Sequence, residues 1–282
     1  MRWTILGSGG CTVIPKPLCR CRICREARVK GFPYARTGPA AYLHEANLLL
    51  DTPAEISQQL NRAAIRYVNY LMFSHLDPDH VEGFRVVEQI ALDYRTWRAH
   101  PEKRITLRLP EPLAERIVKI SSQYGPVLDF YLAKGFVKLE TFKEKTQIGN
   151  IQITALPVDR GSQTAYVYVF EQAGRKAVYA PCDMKPFPVD RPEVQNADLL
   201  ITQPGRFDDH IKHGFRYPPD HISRTTLYSF GETLALAAQI KARKTVFMHL
   251  EEHWHRSYDD YRALEKQHRG IRFARDGMSL RV

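Results

Sequence analysis

His75, Asp77, Asp79 and His80 bring two imidazoles and two carboxylates together in the stretch His75-Leu76-Asp77-Pro78-Asp79-His80. The apolar run 68–73 before them reads as a strand, so the four side chains fall on a loop at a strand end. Alternation there can aim them at one small volume. Imidazole and carboxylate suit zinc, manganese or iron, and such a cluster can hold one ion or two. The competing reading is a polar loop whose aspartates only cap a helix near Val81, since aspartate is a favoured N-cap.

A second group is Cys19-Arg20-Cys21-Arg22-Ile23-Cys24. Three thiolates at this spacing can wrap one tetrahedral ion and want a fourth ligand. Arg20, Arg22 and Arg25 make the segment too polar for three buried, unpaired thiols. Clustered cysteines in a chain with no secretory h-region indicate metal binding rather than disulfides. Cys11 and Cys182 have no partner by spacing and read as small core residues.

Single polar residues end further strand-like runs. Asp51 follows Leu48-Leu49-Leu50, Asp159 and Arg160 follow residues 155–158, Asp183 follows 178–182, and His249 follows 245–248. The elements that position them begin with a strand at 2–6, which ends in Gly7-Ser8-Gly9-Gly10. Thr12 and Val13 stand where a dinucleotide-binding glycine would be needed, so these glycines do not make that motif. A hairpin over 40–50, helices over 54–66 and 83–95, and strands from 151 onward follow. Residues 222–240 read as one amphipathic helix, 244–248 as a strand, 258–267 as a helix and 271–281 as short strands. Strands followed by helices, twice over, fit two β-sheets between helix layers.

This order of residues resembles the metallo-β-lactamase superfamily over roughly 2–85 and 150–252. The resemblance implies an α/β fold, the αββα sandwich of two mixed sheets between helix layers, in one domain over 1–282 with an unassigned insertion at about 96–145. The superfamily motif is HxHxDH, followed by a later histidine, a bridging aspartate and a final histidine. By position Asp183 matches the bridging carboxylate and His249 the last histidine. Asp79, His80, Asp183 and His249 then make a complete second metal position. In the first, His75 is kept, Asp77 replaces the second histidine, and Asp159 or Arg160 replaces the later one. Carboxylates at Asp77 and Asp159 would shift preference toward manganese or iron, whereas Arg160 would substitute a fixed positive charge for an ion. Asp51 reads as a hydrogen-bonding support.

The CxCxxC segment is similar to that of the phosphodiesterase type encoded with the carbon–phosphorus lyase, and to the pyrroloquinoline-quinone biosynthesis branch. That likeness implies a structural zinc on Cys19, Cys21 and Cys24, with His253 as fourth ligand and His255 in reserve. It also matches His221, in Pro218-Pro219-Asp220-His221, to a histidine near the substrate phosphate. His221 is therefore a candidate general acid or phosphate ligand beside Arg160, and equally a residue that begins a helix. His44, His100, His210, His213 and His268 read as structural or surface residues.

The implied function is a metal-dependent phosphodiesterase acting on a small phosphodiester or cyclic nucleotide, with zinc, manganese or iron at the active site. Water activated by metal attacks phosphorus, and Asp79 and His221 are the catalytic residues. Two alternatives stand: a non-hydrolytic or redox protein with a modified centre, and a binding protein with a decayed one. Forty-one Lys and Arg against 31 Asp and Glu give a formal charge of +10, which favours phosphorylated small molecules and keeps nucleic acid open as a partner. No basic run is long enough for a dedicated nucleic-acid tail. No run approaches the ~18 apolar residues of a spanning helix, so no membrane association and a cytoplasmic location are expected. A homodimer is compatible with the sequence.

Overall fold

The structure is a computed structural model that describes every residue except Ser162, and only the backbone of Arg160 and Gln163. Fourteen strands form two seven-stranded sheets. The first half of the chain gives β1 (Arg2–Gly7), β2 (Ala40–Leu43), β3 (Leu48–Leu50), β4 (Tyr70–Met72), β5 (Ile105–Pro110) and β6 (Val137–Phe142). The second half gives β7 (Lys145–Ile148), β8 (Ile151–Arg160), β9 (Gln163–Gln172), β10 (Arg175–Ala180), β11 (Leu199–Thr202), β12 (Thr245–Phe247) and β13 (Ile271–Phe273). The last strand, β14 (Met278–Arg281), returns to the first sheet beside β1.

Both sheets follow one plan. In the first, β14, β1, β2 and β3 pair antiparallel, then β3, β4, β5 and β6 parallel. In the second, β7 to β10 pair antiparallel, and β10 to β13 parallel. The parallel strands need crossovers, and helices supply them on the outer faces.

Strand β9 shows how period-two patterning builds the layers. Tyr166, Tyr168 and Phe170 face the inter-sheet core, where Trp3 meets Phe170 edge-on at 5.0 Å and stacks on Tyr179 at 6.4 Å. Ala165, Val167 and Val169 point the other way, onto Leu236, Ala237 and Ile240 of an outer helix. The αββα sandwich expected from the sequence is thus the observed architecture.

Several elements differ from expectation. Residues 96–145 supply β5 and β6, which extend the first sheet, and two helices, Glu111–Ile117 and Val127–Lys134. The expected helix over 222–240 is two, Ile222–Thr226 and Phe230–Gln239. Ser229 and Glu232 form a reciprocal capping box that starts the second. The expected helix over 83–95 is a 3-10 turn at Glu82–Arg85 and a short helix at Val86–Ala91, after which Leu92–Asp93 pairs with Arg98–Ala99. Among the described residues no helix is long and apolar enough to cross a membrane.

Candidate metal centre

Strands lying parallel in a sheet open their loops at the same edge, and in α/β folds the crevice beyond their carboxyl ends is where ligands bind. Asp51 leaves β3, residues 73–80 leave β4, Cys182 and Asp183 follow β10, and His249 follows β12. Asp51, Asp183 and His249 adopt φ values of 63°, 53° and 58°. This left-handed conformation costs a non-glycine residue ~1 kcal/mol and is tolerated best by small polar side chains. Finding it at three of the four exits marks turns that are held for the sake of what they present.

The side chains converge in overlapping sets, each with its ligand atoms within 4.8 Å of one another. These are His75, Asp77 and Asp183; Asp79, His80 and His249; and His75, His80 and Cys182. Asp79 Oδ2 lies 3.1 Å from His249 Nε2 and 3.5 Å from His80 Nε2, and Asp77 Oδ2 is 3.7 Å from His75 Nε2. On the far side each ring has a polar neighbour at Nδ1. Ser74 Oγ stands 3.0 Å from His75 Nδ1, Asp51 Oδ2 3.1 Å from His80 Nδ1, and Glu251 Oε1 3.1 Å from His249 Nδ1, off the hydrogen-bonding direction. Hydrogen-bonding partners at Nδ1, as Ser74 Oγ is for His75 and at 3.3 Å for His80, orient an imidazole and select the tautomer whose other nitrogen can bind a metal.

Asp51 is the hub of this support. Fully buried, it accepts hydrogen bonds from the Ser74 amide at 2.7 Å, the Ser74 hydroxyl at 2.9 Å and Tyr179 Oη at 2.9 Å. Tyr168 Oη donates to the Phe73 carbonyl at 2.7 Å, so two tyrosines of the second sheet clamp the loop that leaves the first.

The residues present fit divalent metal. The Nε2 atoms of His75 and His80 are buried without a hydrogen-bond partner, a costly condition unless something else is to be bound there. Electrostatics agree. Burial opposes charge on His80, but Asp51 outweighs it and pushes its pKa up to about 10. Burial likewise opposes ionisation of Asp79, yet His249, His80 and His75 hold its carboxyl well below the usual range. Cys182 is also drawn down against burial, chiefly by His249 with His75 and His80. The cluster thus favours positive charge on His80 and His249 and negative charge on Asp79.

The cysteine clip forms a separate group of four. The Sγ atoms of Cys19, Cys21 and Cys24 lie 3.3, 3.2 and 3.4 Å from one oxygen, Glu252 Oε1. The residue gathered with the three sulfurs is Glu252, whereas His253, expected as the fourth ligand, is not in this group. The chain enters a 3-10 turn at Glu252–Trp254, and it is the first residue of that turn that faces the sulfurs. Lys212 Nζ joins them, 2.6 Å from Glu252 Oε1 and 3.0 Å from Cys19 Sγ. Burial would raise the Glu252 pKa, but Lys212 and the thiols bring it down to about 2. Three sulfurs and one carboxylate oxygen suit a tetrahedral ion such as zinc.

A family model described as the β-lactamase superfamily domain matches residues 46–250. The chain belongs to the β-lactamase superfamily. Solved structures share the fold over the whole chain. Zn(2+)-bound PqqB from Methylobacterium extorquens is 21% identical with a TM-score of 0.79, covering 100% of both chains. A diphosphatase of the PhnP family is 21% identical with a TM-score of 0.73, covering 100% of this chain and 97% of its own. Human tRNase Z, short form, is 14% identical with a TM-score of 0.64, covering 100% and 99%. No curated protein matches the sequence.

Among the described residues, Asp159 and His221 belong to none of the metal-competent groups. Asp159 is exposed near the β8–β9 turn, where its Oδ1 accepts from the Gly161 amide at 2.9 Å, and it joins none of the metal-competent groups. The Arg160 side chain lies outside the described residues. His221 caps the helix Ile222–Thr226. Its Nδ1 accepts from the Ser223 amide at 3.2 Å, and its ring packs against Tyr217 and Phe215. Conversely Cys182, Glu251 and Glu252 were not anticipated. Cys182 could have been found from its place beside Asp183 at a strand end, and Glu251 from following His249 by two residues.

Proposed function

We propose that the protein is a metal-dependent hydrolase acting on small phosphodiesters, with His75, Asp77 and Asp183 around one position and Asp79, His80 and His249 around the other. What carries this reading is the arrangement of His75 and His80, whose Nδ1 atoms are engaged from behind while their Nε2 atoms lie buried and unpartnered between carboxylates. Bound divalent ions would supply Lewis acidity and make a coordinated water acidic enough to attack near neutral pH. The chain's own residues orient and exclude. Asp51 and Ser74 fix the ring planes, Asp79 stays ionised as a ligand, and Tyr168 and Tyr179 close the floor against water. His221 uses Nδ1 for its cap, so its expected role as general acid or phosphate ligand would fall to Nε2. The likeness of fold to a diphosphatase and to a tRNase Z supports phosphorus chemistry as the class.

The test is turnover of bis-p-nitrophenyl phosphate and 2′,3′-cyclic nucleotides by protein loaded with zinc, manganese or iron. Activity that disappears in His80→Ala and Asp183→Ala supports the reading. Stoichiometric metal at the centre without turnover of either substrate refutes it.

A second reading has its own observation in Cys182, which brings a soft thiol to His75 and His80. A thiolate beside two imidazoles suits a non-hydrolytic or redox centre. Iron retained after purification, lost in Cys182→Ser, together with absence of hydrolysis, would favour it.

A further inference from the structure

Two large aromatic side chains of the segment 92–136 face solvent, Trp97 at 65% exposure and Tyr124 at 67%. Each sits on a small two-stranded ribbon. Leu92–Asp93 pairs with Arg98–Ala99 around a turn that contains Trp97, and Ser121–Ser122 pairs with Gly125–Pro126 around a turn that contains Tyr124. Trp97 is also held at a left-handed φ of 54°. An exposed indole and a left-handed aromatic residue are both unfavourable in themselves, and such costs gather where a side chain is presented to a ligand.

The two ribbons border a cavity of about 480 Å³. Buried Tyr131 and Phe136 form its floor, and Phe84 backs Tyr131 edge-on at 5.1 Å. Phe130 and Tyr124 make one wall, their rings stacked at 5.2 Å with 13° between the planes. The helix Val127–Lys134 supplies Phe130 and Tyr131, and the Val127 amide ties it to the second ribbon by donating to the Ile120 carbonyl at 2.8 Å.

Polar side chains are few here and of opposite sign. Half-buried Glu88, from the helix Val86–Ala91, and half-buried Lys134 both line the cavity. Glu88 meets Arg85 at 3.7 Å, longer than a hydrogen bond, which leaves the carboxylate able to accept one. Lys134 Nζ stands 5.9 Å from the centre of the Phe130 ring. Burial, with the charge of Glu88, pushes the Tyr131 phenol up to about 12, so that hydroxyl keeps its proton and can donate.

We propose that this cavity binds a small uncharged heteroaromatic ring, a nucleobase or nucleoside in chemical class, at a site separate from the metal centre. Aromatic walls favour a flat partner whose faces and edges can pack against them. Glu88 accepts from a ring amine, while Lys134 and the Tyr131 hydroxyl donate to ring nitrogens or carbonyls. The opposite charges of Glu88 and Lys134 give neither a cation nor an anion an advantage. The volume falls within the range of small-molecule sites. None of the lining residues belongs to a metal-competent group found among the described residues, so occupancy requires neither metal nor turnover.

Adenosine is the probe. Trp3 and Trp254 are buried, so quenching of tryptophan emission by an added ring reports on Trp97. Saturable quenching is expected, matched by equilibrium dialysis of labelled adenosine. Trp97→Ala and Tyr124→Ala replace exposed side chains and leave the core intact; each should weaken binding in dialysis by about tenfold, the loss of one stacking contact. Glu88→Gln should weaken adenosine more than purine riboside, which lacks the amine, and His80→Ala should bind adenosine like the wild type. No binding at millimolar adenosine, or binding lost in His80→Ala and kept in Trp97→Ala, overturns the proposal. So does tighter binding of tetramethylammonium than of adenosine, which would make the rings a cage for a cation. Self-association abolished by Trp97→Ala, with no adenosine bound, overturns it too and assigns the aromatic rim to a second copy of the chain.

Discussion

Asp51→Asn replaces one oxygen by an amino group at the residue that supports His80. The Ser74 amide can only donate, and it lies 2.7 Å from Asp51 Oδ1. The asparagine carbonyl is therefore pinned at that position, and its NH2 falls where Oδ2 now stands, 3.1 Å from His80 Nδ1 and 2.9 Å from Tyr179 Oη. An NH2 facing Nδ1 demands a lone pair there, which moves the ring proton to Nε2 and removes the nitrogen that would hold metal. The backbone itself tolerates the change, since asparagine accepts the left-handed φ of 63°. Loss of such a supporting partner weakens metal binding by roughly 10–100-fold, about 1.4–2.7 kcal/mol. Asp51→Ala is expected to be worse in another way. It strands the donors of Ser74 and Tyr179 at about 1–3 kcal/mol each, so stability itself falls by at least ~3 kcal/mol. The assay is metal content across graded free-zinc buffers, with the cysteine clip of the same molecule as internal control. An Asn variant that keeps its centre affinity within twofold, or that loses clip metal in parallel, would show that Asp51 does not set the His80 tautomer.

Glu252→Ala should speed zinc release from the clip to a chromogenic chelator by at least about tenfold, whereas His253→Ala should leave it near wild type; the reverse would return the fourth corner to His253. Gly10→Ala puts a Cβ 2.0 Å from Glu251 Oε1 and 2.8 Å from His249 Nδ1, and should cost about 1–3 kcal/mol in thermal unfolding and loosen metal at His249. Metal-free protein should lose stability as pH rises. Folding raises the His80 pKa from 6.5 to about 10, so its contribution is complete below pH 6.5 and vanishes as pH climbs through about 10. Urea titrations of chelator-treated Cys182→Ser protein from pH 6 to 10, free of the opposite contribution of the depressed Cys182 thiol, would show the decline, and a flat profile would count against the Asp51–His80 pairing.

Much of the site was legible because its donors are chained to strand ends. The run His75 to His80, then Asp183 and His249, could be placed by asking which polar residue ends each apolar run, since parallel strands collect such residues at one edge. The clip cysteines were legible from spacing alone. Glu252 was not, because neighbours on a 3-10 turn point about 120° apart and nothing local says which one faces the sulfurs. Asp159 misled for a related reason. It ends an apolar run, but its side chain is exposed near the hairpin turn and joins no metal-competent group among the described residues, whereas Cys182 stands with His75 and His80. The break at Leu227 and Tyr228 was readable from Ser229-Phe230-Gly231-Glu232, yet hydrophobic periodicity across 222–240 masked it.

The two sheets repeat one plan, and each contributes only part of the centre. His75, Asp77, Asp79 and His80 come from the first half of the chain, and Cys182, Asp183 and His249 from the second. An ion held by both halves acts as a rivet through their interface, so its affinity reports how well the halves are docked. Any substitution that shifts one sheet against the other, even far from the loops, should be read out as weaker metal retention before it is seen as unfolding. Neither half can drift on its own, because the set of ligands is complete only where the two edges meet.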